Sequence, residues 1–296
     1  MKARRILANL ELVVKAHLLN PLWRSRQERH NHRVAATVAV IEKYLRRYYL
    51  PAALQHAQAF PPSGESEKIW SVWLQGEADA PRLIQKCLSS IREKSGMEVC
   101  VMDKEQLRQM LDLPQVIWQK FESGKMQACH FTDICRVELL RLYGGYWMDA
   151  TCLMTSPIPE NIVQSDFFLF ETSPGITGDY SGFQNCFIRA RRGNPALAIW
   201  RELILTYWLQ EDSLMDYFQH QIMMKMLSRE VPEVKAACDA MPHITHKAAH
   251  RLWQEHGDEP YSAQKEAEYT QGAFFQKTSY KDRVIVPGSF KDHLLQ

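Results

Sequence analysis

Thr132-Asp133-Ile134-Cys135-Arg136, then Leu139-Leu140, then Tyr143-Gly144-Gly145-Tyr146-Trp147-Met148-Asp149-Ala150-Thr151, is the stretch on which the fold of this 296-residue chain turns. From His130 to Leu142 the apolar positions Ile134, Val137, Leu140 and Leu142 recur at helical spacing. Gly144-Gly145 stops that helix and permits a sharp reversal. Tyr146-Trp147-Met148 then reads as a short strand that delivers Asp149 to its carboxyl end. Asp133 and Arg136 are three apart and share one helix face. A carboxylate at a strand end, close to a helix bearing Asp and Arg, suits a ribose, a divalent ion and a diphosphate. Taken singly, each feature is more simply a structural ion pair or a Gly-Gly turn.

Working outward, Lys68-Ile69-Trp70-Ser71-Val72-Trp73-Leu74 is an apolar run rich in strand formers, closed by Gln75-Gly76. Residues 80–95 predict a helix with Pro81 in its first turn, and residues 97–102 a second strand. Short helices follow over 104–111 and 116–123. Beyond Thr151, strands are expected at 166–170 and 182–190, and helices at 197–209 and 217–227. Strands alternating with helices indicate an α/β domain with a mainly parallel sheet. In such sheets ligands sit beyond the carboxyl ends of the strands, where both Trp73-Leu74-Gln75-Gly76 and Met148-Asp149-Ala150-Thr151 fall.

The N-terminal section is different. Ile6, Leu7, Leu10, Val13, Val14, Ala16 and Leu18 describe one helix ended by Pro21, and residues 34–50 a second, interrupted at Pro51. Phe60-Pro61-Pro62-Ser63-Gly64-Glu65-Ser66 reads as a linker. Residues 1–62 are therefore assigned to a helical extension and 63–296 to the main domain. Residues 1–60 carry eleven Lys and Arg against three Asp and Glu, a net of +8, which leaves −6 for the remaining 236 residues. This asymmetry points to an anionic partner surface, while the total of +2 does not suggest a nucleic-acid binder as a whole. Two readings of the extension stay open: peripheral contact with a membrane, or packing on the main domain or on a second copy.

At 46% hydrophobic and 24% charged, the chain has the composition of an ordinary globular protein with one large core. Its seven cysteines are odd in number and lack CxxC spacing, so they read as buried reduced thiols rather than a zinc site. The apolar run near the N-terminus is broken by Glu11, Lys15 and His17, and nothing reaches about 18 apolar residues. The expected location is the cytoplasm or the inner face of a membrane. His243, His246 and His250 read as scattered exposed histidines. Met223, Met224 and Met226, with the stripe Trp200, Leu203, Ile204 and Tyr207, read as core. The absence of GxGxxG after the first strand argues against a nucleotide-dependent oxidoreductase.

Together, residues 69–76 and 133–151 resemble the sugar transferases that carry an Asp-x-Asp motif. More closely, they resemble the capsular polysaccharide synthesis family of bacterial glycosyltransferases, whose donor site is similar to that of the large glucosylating toxins. The resemblance covers about residues 68–190. It implies a GT-A type fold, a UDP-sugar donor and a glycan or lipid-linked glycan acceptor in capsule or lipopolysaccharide assembly, with retention of configuration. Trp73 matches the aromatic that stacks on uracil, with Gln75 beside it. Asp133 matches the carboxylate facing the donor sugar. Arg136 matches the cation near sugar and diphosphate. Asp149, preceded by Trp147, matches the first acid of the Asp-x-Asp pair.

Thr151 replaces the second acid and is a poorer ligand for a hard cation. The expected Mn²⁺ or Mg²⁺ would then use Asp149, Thr151 and His293. Otherwise cationic side chains, Lys277 and Lys281, neutralise the diphosphate. Ser289 is a further candidate for phosphate. Asn185 and Asp216 are candidates on the acceptor side, although Asp216 equally suits a helix N-cap. The competing functions are a toxin-like transferase acting on a protein and a non-catalytic sugar-nucleotide binder.

Overall fold

A computed structural model describes residues 2–18, 25–57, 67–174, 178–281 and 284–296. The expected helix stop at Pro21 and the linker that sets the boundary at 62/63 lie outside the described residues. Helices α1 (Lys2–Val13), α2 (Arg26–Tyr48) and α3 (Leu50–His56) precede strand β1 (Ile69–Val72). Helix α4 (Arg82–Ser95), strand β2 (Val99–Met102), and helices α5 (Lys104–Met110), α6 (Gln115–Glu122) and α7 (Ala128–Tyr143) follow. Then come β3 (Gly145–Met148), β4 (Cys152–Met154), α8 (Glu160–Val163), β5 (Phe167–Glu171) and β6 (Phe183–Ala190). Helices α9 (Pro195–Gln210), α10 (Gln219–Glu230), α11 (Pro232–Ala240), α12 (Lys247–His250) and α13 (Ala263–Tyr269), strand β7 (Phe275–Lys277) and α14 (Phe290–Leu295) complete the order.

The main sheet runs β2-β1-β3-β6-β5. β1 pairs in parallel with β2 and β3, and β6 is antiparallel to both of its neighbours. Four of the five strands therefore point the same way and β6 alone is reversed. This is the mostly parallel α/β sheet flanked by helices that the alternation implied. A second, two-stranded antiparallel ribbon joins β4 to β7.

Side chains alternate across the sheet. Trp70, Val72, Trp147, Phe167, Leu169 and Ile188 enter one core with α2, α7, α9 and α10. Ile69, Tyr146, Met148, Phe168, Phe170 and Phe187 enter another with α4 and the β4–β7 ribbon. A strand buried on both faces reads as a continuous apolar run, which is why no polar alternation marks β1 or β3.

Local chemistry sets several boundaries. α2 starts eight residues before the expected 34 because Ser25 and Glu28 form a capping box, with Glu28 N donating to Ser25 Oγ at 3.2 Å and Ser25 N to Glu28 Oε2 at 2.8 Å. Pro51 falls in the first turn of α3, where its missing N–H costs nothing, so it restarts a helix rather than ending one. Gly144 ends α7 at φ +69°, and a Cβ there would lie 2.7 Å from the Arg192 backbone nitrogen. That turn thus requires glycine for both conformation and space.

The extension is bound to the body. Val38, Ile41, Tyr44, Leu45 and Tyr49 belong to the same core as Trp147 and α9. Tyr44 donates its hydroxyl to Glu211 Oε1 at 2.6 Å, and Arg4 donates to Gln210 Oε1 at 2.6 Å. Of the two readings of the N-terminal helices, packing on the main domain is realised. The outer face of α1 nevertheless leaves Ile6, Leu7 and Leu10 about 60% exposed. Among the described residues no helix is long and apolar enough to cross a membrane.

All seven cysteines are free; five are buried, and Cys100 and Cys129 half-buried. The histidine expectation needs correcting. His246 and His250 are buried and packed edge to face, and only His243 is exposed, where it meets Glu171 Oε1 at 2.8 Å. His246 sits at the N-cap of the short helix α12 and His250 at its last position, and so short a helix leaves no period to read.

Candidate active site

The topology converges on one place. The carboxyl ends of β1 and β3 present Trp73 and Asp149. β6 runs the other way, so Gln184 and Asn185 near its start reach the same edge, and Asp149 N donates to Cys186 O at 2.8 Å. α7 points its N-terminal turns there, bringing Asp133 and Arg136. Between them lies a cleft of about 560 Å³. Its walls include Trp73, Gln75, Asp133, Arg136, Trp147, Asp149, Thr151, Asn185, Lys277 and Lys281.

Arg136 bridges the two acids, with Nη1 3.1 Å from Asp133 Oδ1 and Nη2 3.3 Å from Asp149 Oδ1. It also donates to Asn185 O at 2.8 Å and lies over the Trp147 ring. At 5% exposure most of its guanidinium is taken up in bracing the carboxylates, and little of it is open to the cleft it lines. Trp147, 2% exposed, donates its indole N–H to Asp149 Oδ1 at 2.8 Å, which makes it an orienting group behind Asp149.

Asp133 is surrounded by donors. Oδ1 receives Asn185 Nδ2 at 2.8 Å, and Oδ2 faces His220 Nδ1 at 2.7 Å and His130 Nδ1 at 3.4 Å. Burial alone would raise its pKa, but Arg136 and His220 outweigh it and hold the carboxyl far below the usual range. Burial also opposes charge on His130, yet its bond to Asp133 and its neighbour Cys129 lift the imidazole to about 9. His220 differs. Trp208 Nε1 donates to its Nε2 at 2.8 Å. An indole N–H is only a donor, so Nε2 holds the lone pair and Nδ1 carries the proton that Asp133 accepts. Burial keeps this ring neutral.

His130, Asp133 and His220 bring three potential metal-ligand atoms within 4.8 Å of one another. As folded, however, the facing His220 nitrogen is protonated, and the trio is a hydrogen-bonded support for Asp133. His130 and His220 were not found from sequence. His220 follows Asp133 by 87 residues with no motif around it.

The β4–β7 ribbon supplies the remaining charge. Cys152 pairs with Lys277, and Thr278 N donates to Thr151 O at 2.9 Å. Lys277 Nζ donates to Asp149 Oδ2 at 2.9 Å and to Thr151 Oγ1. Burial would raise the Asp149 carboxyl, but Lys277 and Arg136 hold it low. Burial would likewise lower Lys277, and Asp149 raises it instead. The residues present do not fit a divalent ion between Asp149 and Thr151, because an ammonium group already joins those two oxygens.

Three expected residues lie elsewhere. Ser289 caps α14, accepting from Asp292 N at 3.2 Å, and is fully buried there. His293, on α14, stacks on Tyr261 with ring centroids 3.6 Å apart. Neither lines the cleft. The expected metal set of Asp149, Thr151 and His293 is therefore not assembled, since α14 packs instead against the outer side of α4. Asp216 also misses the cleft: it accepts from Phe218 N at 2.8 Å and from the Tyr180 hydroxyl, and so fixes the turn into α10. Asn185 does line it, held by Asp133 and by Gln221 Nε2 at 3.1 Å. Tyr280, not anticipated, meets Trp73 edge to face at 5.3 Å.

Residues 21–293 match the family described as capsular polysaccharide synthesis protein. The chain belongs to that family. Two fungal proteins are similar in sequence to this family member. Glycosyltransferase afumC of Aspergillus fumigatus is 26% identical over 203 residues, covering 61% of this chain and 51% of its own. O-glycosyltransferase braB of Annulohypoxylon truncatum is 23% identical over 182 residues, covering 55% and 42%. The chain thus spans about half the length of these curated relatives. Among solved structures, the PaToxG glycosyltransferase aligns with a TM-score of 0.42 at 13% identity, covering 70% of this chain and 84% of that one.

Proposed function

We propose that the protein is a glycosyltransferase that moves a sugar from a nucleotide diphosphate, UDP in the first instance, to an acceptor hydroxyl. One observation carries this reading: an aromatic (Trp73), two acids (Asp133, Asp149) and two cations (Arg136, Lys277) line a single cleft at the carboxyl edge of the sheet. Trp73 offers a flat face to the base. Asp149, oriented by Trp147, meets the ribose side. Lys277, with the exposed Lys281 beside it, meets the diphosphate. The names of the fungal relatives support glycosyl transfer, and that of braB, an O-glycosyltransferase, supports transfer to oxygen.

In the reaction the anomeric carbon–oxygen bond to the β-phosphate breaks, and its electron pair leaves with UDP. The acceptor oxygen bonds to the anomeric carbon, and its proton passes to the departing diphosphate when configuration is retained. The chain's own part is to stabilise that leaving group electrostatically and to hold the acceptor close. A glycan acceptor in capsule or lipopolysaccharide assembly is the substrate class favoured by the family.

The outer face of α1 is proposed to rest on an anionic membrane at the inner face of the cell envelope. Its exposed Ile6, Leu7, Leu10 and Val13 and the +8 charge of residues 1–60 suit such a surface. Co-sedimentation with anionic liposomes should fall in a Leu7→Glu/Leu10→Glu variant, and equal sedimentation of variant and parent would remove the membrane from the proposal.

The central test is release of UDP across a panel of UDP-sugars by the purified protein and its Asp149→Ala variant. The parent should turn over at least one donor and the variant about a thousandfold less, in line with loss of a group acting on the transition state. Equal rates in both would sink the site.

A further inference from the structure

We infer that Lys277 supplies, from within the chain, the positive charge that a divalent cation supplies in Asp-x-Asp transferases, so that the donor diphosphate is held without metal. The inference rests on the sugar-nucleotide reading above.

The argument starts from Thr151. With one carboxylate of the pair replaced by a hydroxyl, the charge available to a dication is halved. A divalent ion draws oxygen ligands to about 2.0–2.6 Å. The place where Asp149 Oδ2 and Thr151 Oγ1 would share such an ion holds the Lys277 ammonium, 2.9 Å from the carboxylate oxygen and in contact with the hydroxyl. The lysine is not a wandering surface group. Its backbone is fixed opposite Cys152 in the ribbon, and Thr278 Oγ1 ties the next residue to Thr151 O at 2.8 Å.

Charge balance leads to the same conclusion. Asp133 and Asp149 are already offset by Arg136 and Lys277. With His130 also beside Asp133, a dication entering here would leave the cluster with at least two excess positive charges unless it expelled the ammonium from a partly buried ion pair. An arriving diphosphate has the opposite effect. An ammonium has three N–H donors. Two go to Asp149 and Thr151, and the third is uncommitted beside the cleft that Lys277 lines. Thr151 accepts from Lys277, and its own hydroxyl hydrogen stays available as a second donor to phosphate.

UDP binding to the full chain, measured by calorimetry in EDTA and again in Mn²⁺, tests this. Binding by the parent should agree within about twofold between the two buffers. Lys277→Gln should bind roughly 10- to 100-fold more weakly, the loss of one charge-assisted hydrogen bond, and Lys277→Arg should recover most of it. Thr151→Asp/Lys277→Ser, which restores the second acid and removes the ammonium, should bind UDP only with Mn²⁺. Parent binding that disappears in EDTA and returns with Mn²⁺ overturns the inference and leaves the donor reading intact. No UDP binding in either buffer overturns the donor reading and the inference with it. The parent comparison needs no variant to fold.

Discussion

Asp133 has as many donors around it as a carboxylate has lone pairs. Asn185, Arg136, His220 and His130 converge on its two oxygens from three different elements, so the residue organises the cleft as much as it faces it. Replacing it by Asn would put a donating amide against this ring of donors and leave buried Arg136 without one of its two acids. Asp133→Asn should lose about 3–5 kcal/mol of stability, the cost of breaking a buried pair, read as a lower urea midpoint at pH 7. A change under 1 kcal/mol would show that the cluster is loosely held.

A second prediction at this scale concerns pH. Burial first, then His246 and Lys277, push His250 down to about 3 from its ordinary 6.5. The unfolded chain therefore takes up this proton before the folded one does. The stability that a neutral His250 contributes is complete above pH 6.5 and is lost as pH falls toward 3. Asp133 and Asp149, both held low, give up their contribution only at more acid pH. Between pH 6.5 and about 4.5 the slope thus reports buried histidines, His220 and His246 included. Urea unfolding of His250→Asn should show a shallower slope than the parent in that window; identical slopes would place the effect elsewhere.

At the level of elements, the turn from α7 into β3 is the most exacting joint in the site. Gly144→Ala would force a left-handed residue to carry a Cβ 2.7 Å from the Arg192 nitrogen. The cost should be about 1–3 kcal/mol for strain of this kind, visible as a lower melting temperature, and donor turnover should fall because Asp149 lies only five residues on. Full stability in the variant would mean that the joint relaxes.

This joint was also the most legible part of the sequence. A helical period, two glycines and a short apolar run leave few other arrangements, and Asp133, Arg136 and Asp149 do meet. The β4–β7 ribbon could not be read in the same way. Its strands are three residues each, too short for alternation to appear, and they pair across more than a hundred residues. Lys277 was picked out for its charge alone. His220 left no local trace, because what places it is the packing of α10 on α9 and β6, with Trp208 of α9 donating to its ring. The misplaced Ser289, His293 and Asp216 share one cause: polar residues in turns and helix caps resemble ligands when only spacing is visible.

For the whole molecule, the N-terminal helices belong to the body rather than to a detachable arm. Tyr44 and Tyr49 share Glu211 at the end of α9, and Arg46 and Arg229 tie α2 and α10 through Glu230 and Glu42. Removing residues 1–57 would uncover the faces of α9 and α10 that Ile41, Leu45 and Leu50 now cover. The truncated chain should lose cooperative unfolding or aggregate, as judged by denaturation and light scattering. A monodisperse truncation with a sharp transition would show that the extension is a separate unit. For the same reason point changes on the outer face of α1, not deletion, are the clean probe of membrane contact.

The ion pair between Asp149 and Lys277 spans 128 residues. During synthesis the acid is therefore made long before its base. A nascent chain that has finished β6 and α10 already holds Trp73, Asp133, Arg136 and Asp149, but not Lys277, the group proposed to meet the phosphates. On the proposed reading, nucleotide-sugar chemistry switches on late in translation, when β7 closes onto β4, so a prematurely terminated product would occupy donor poorly and consume little of it.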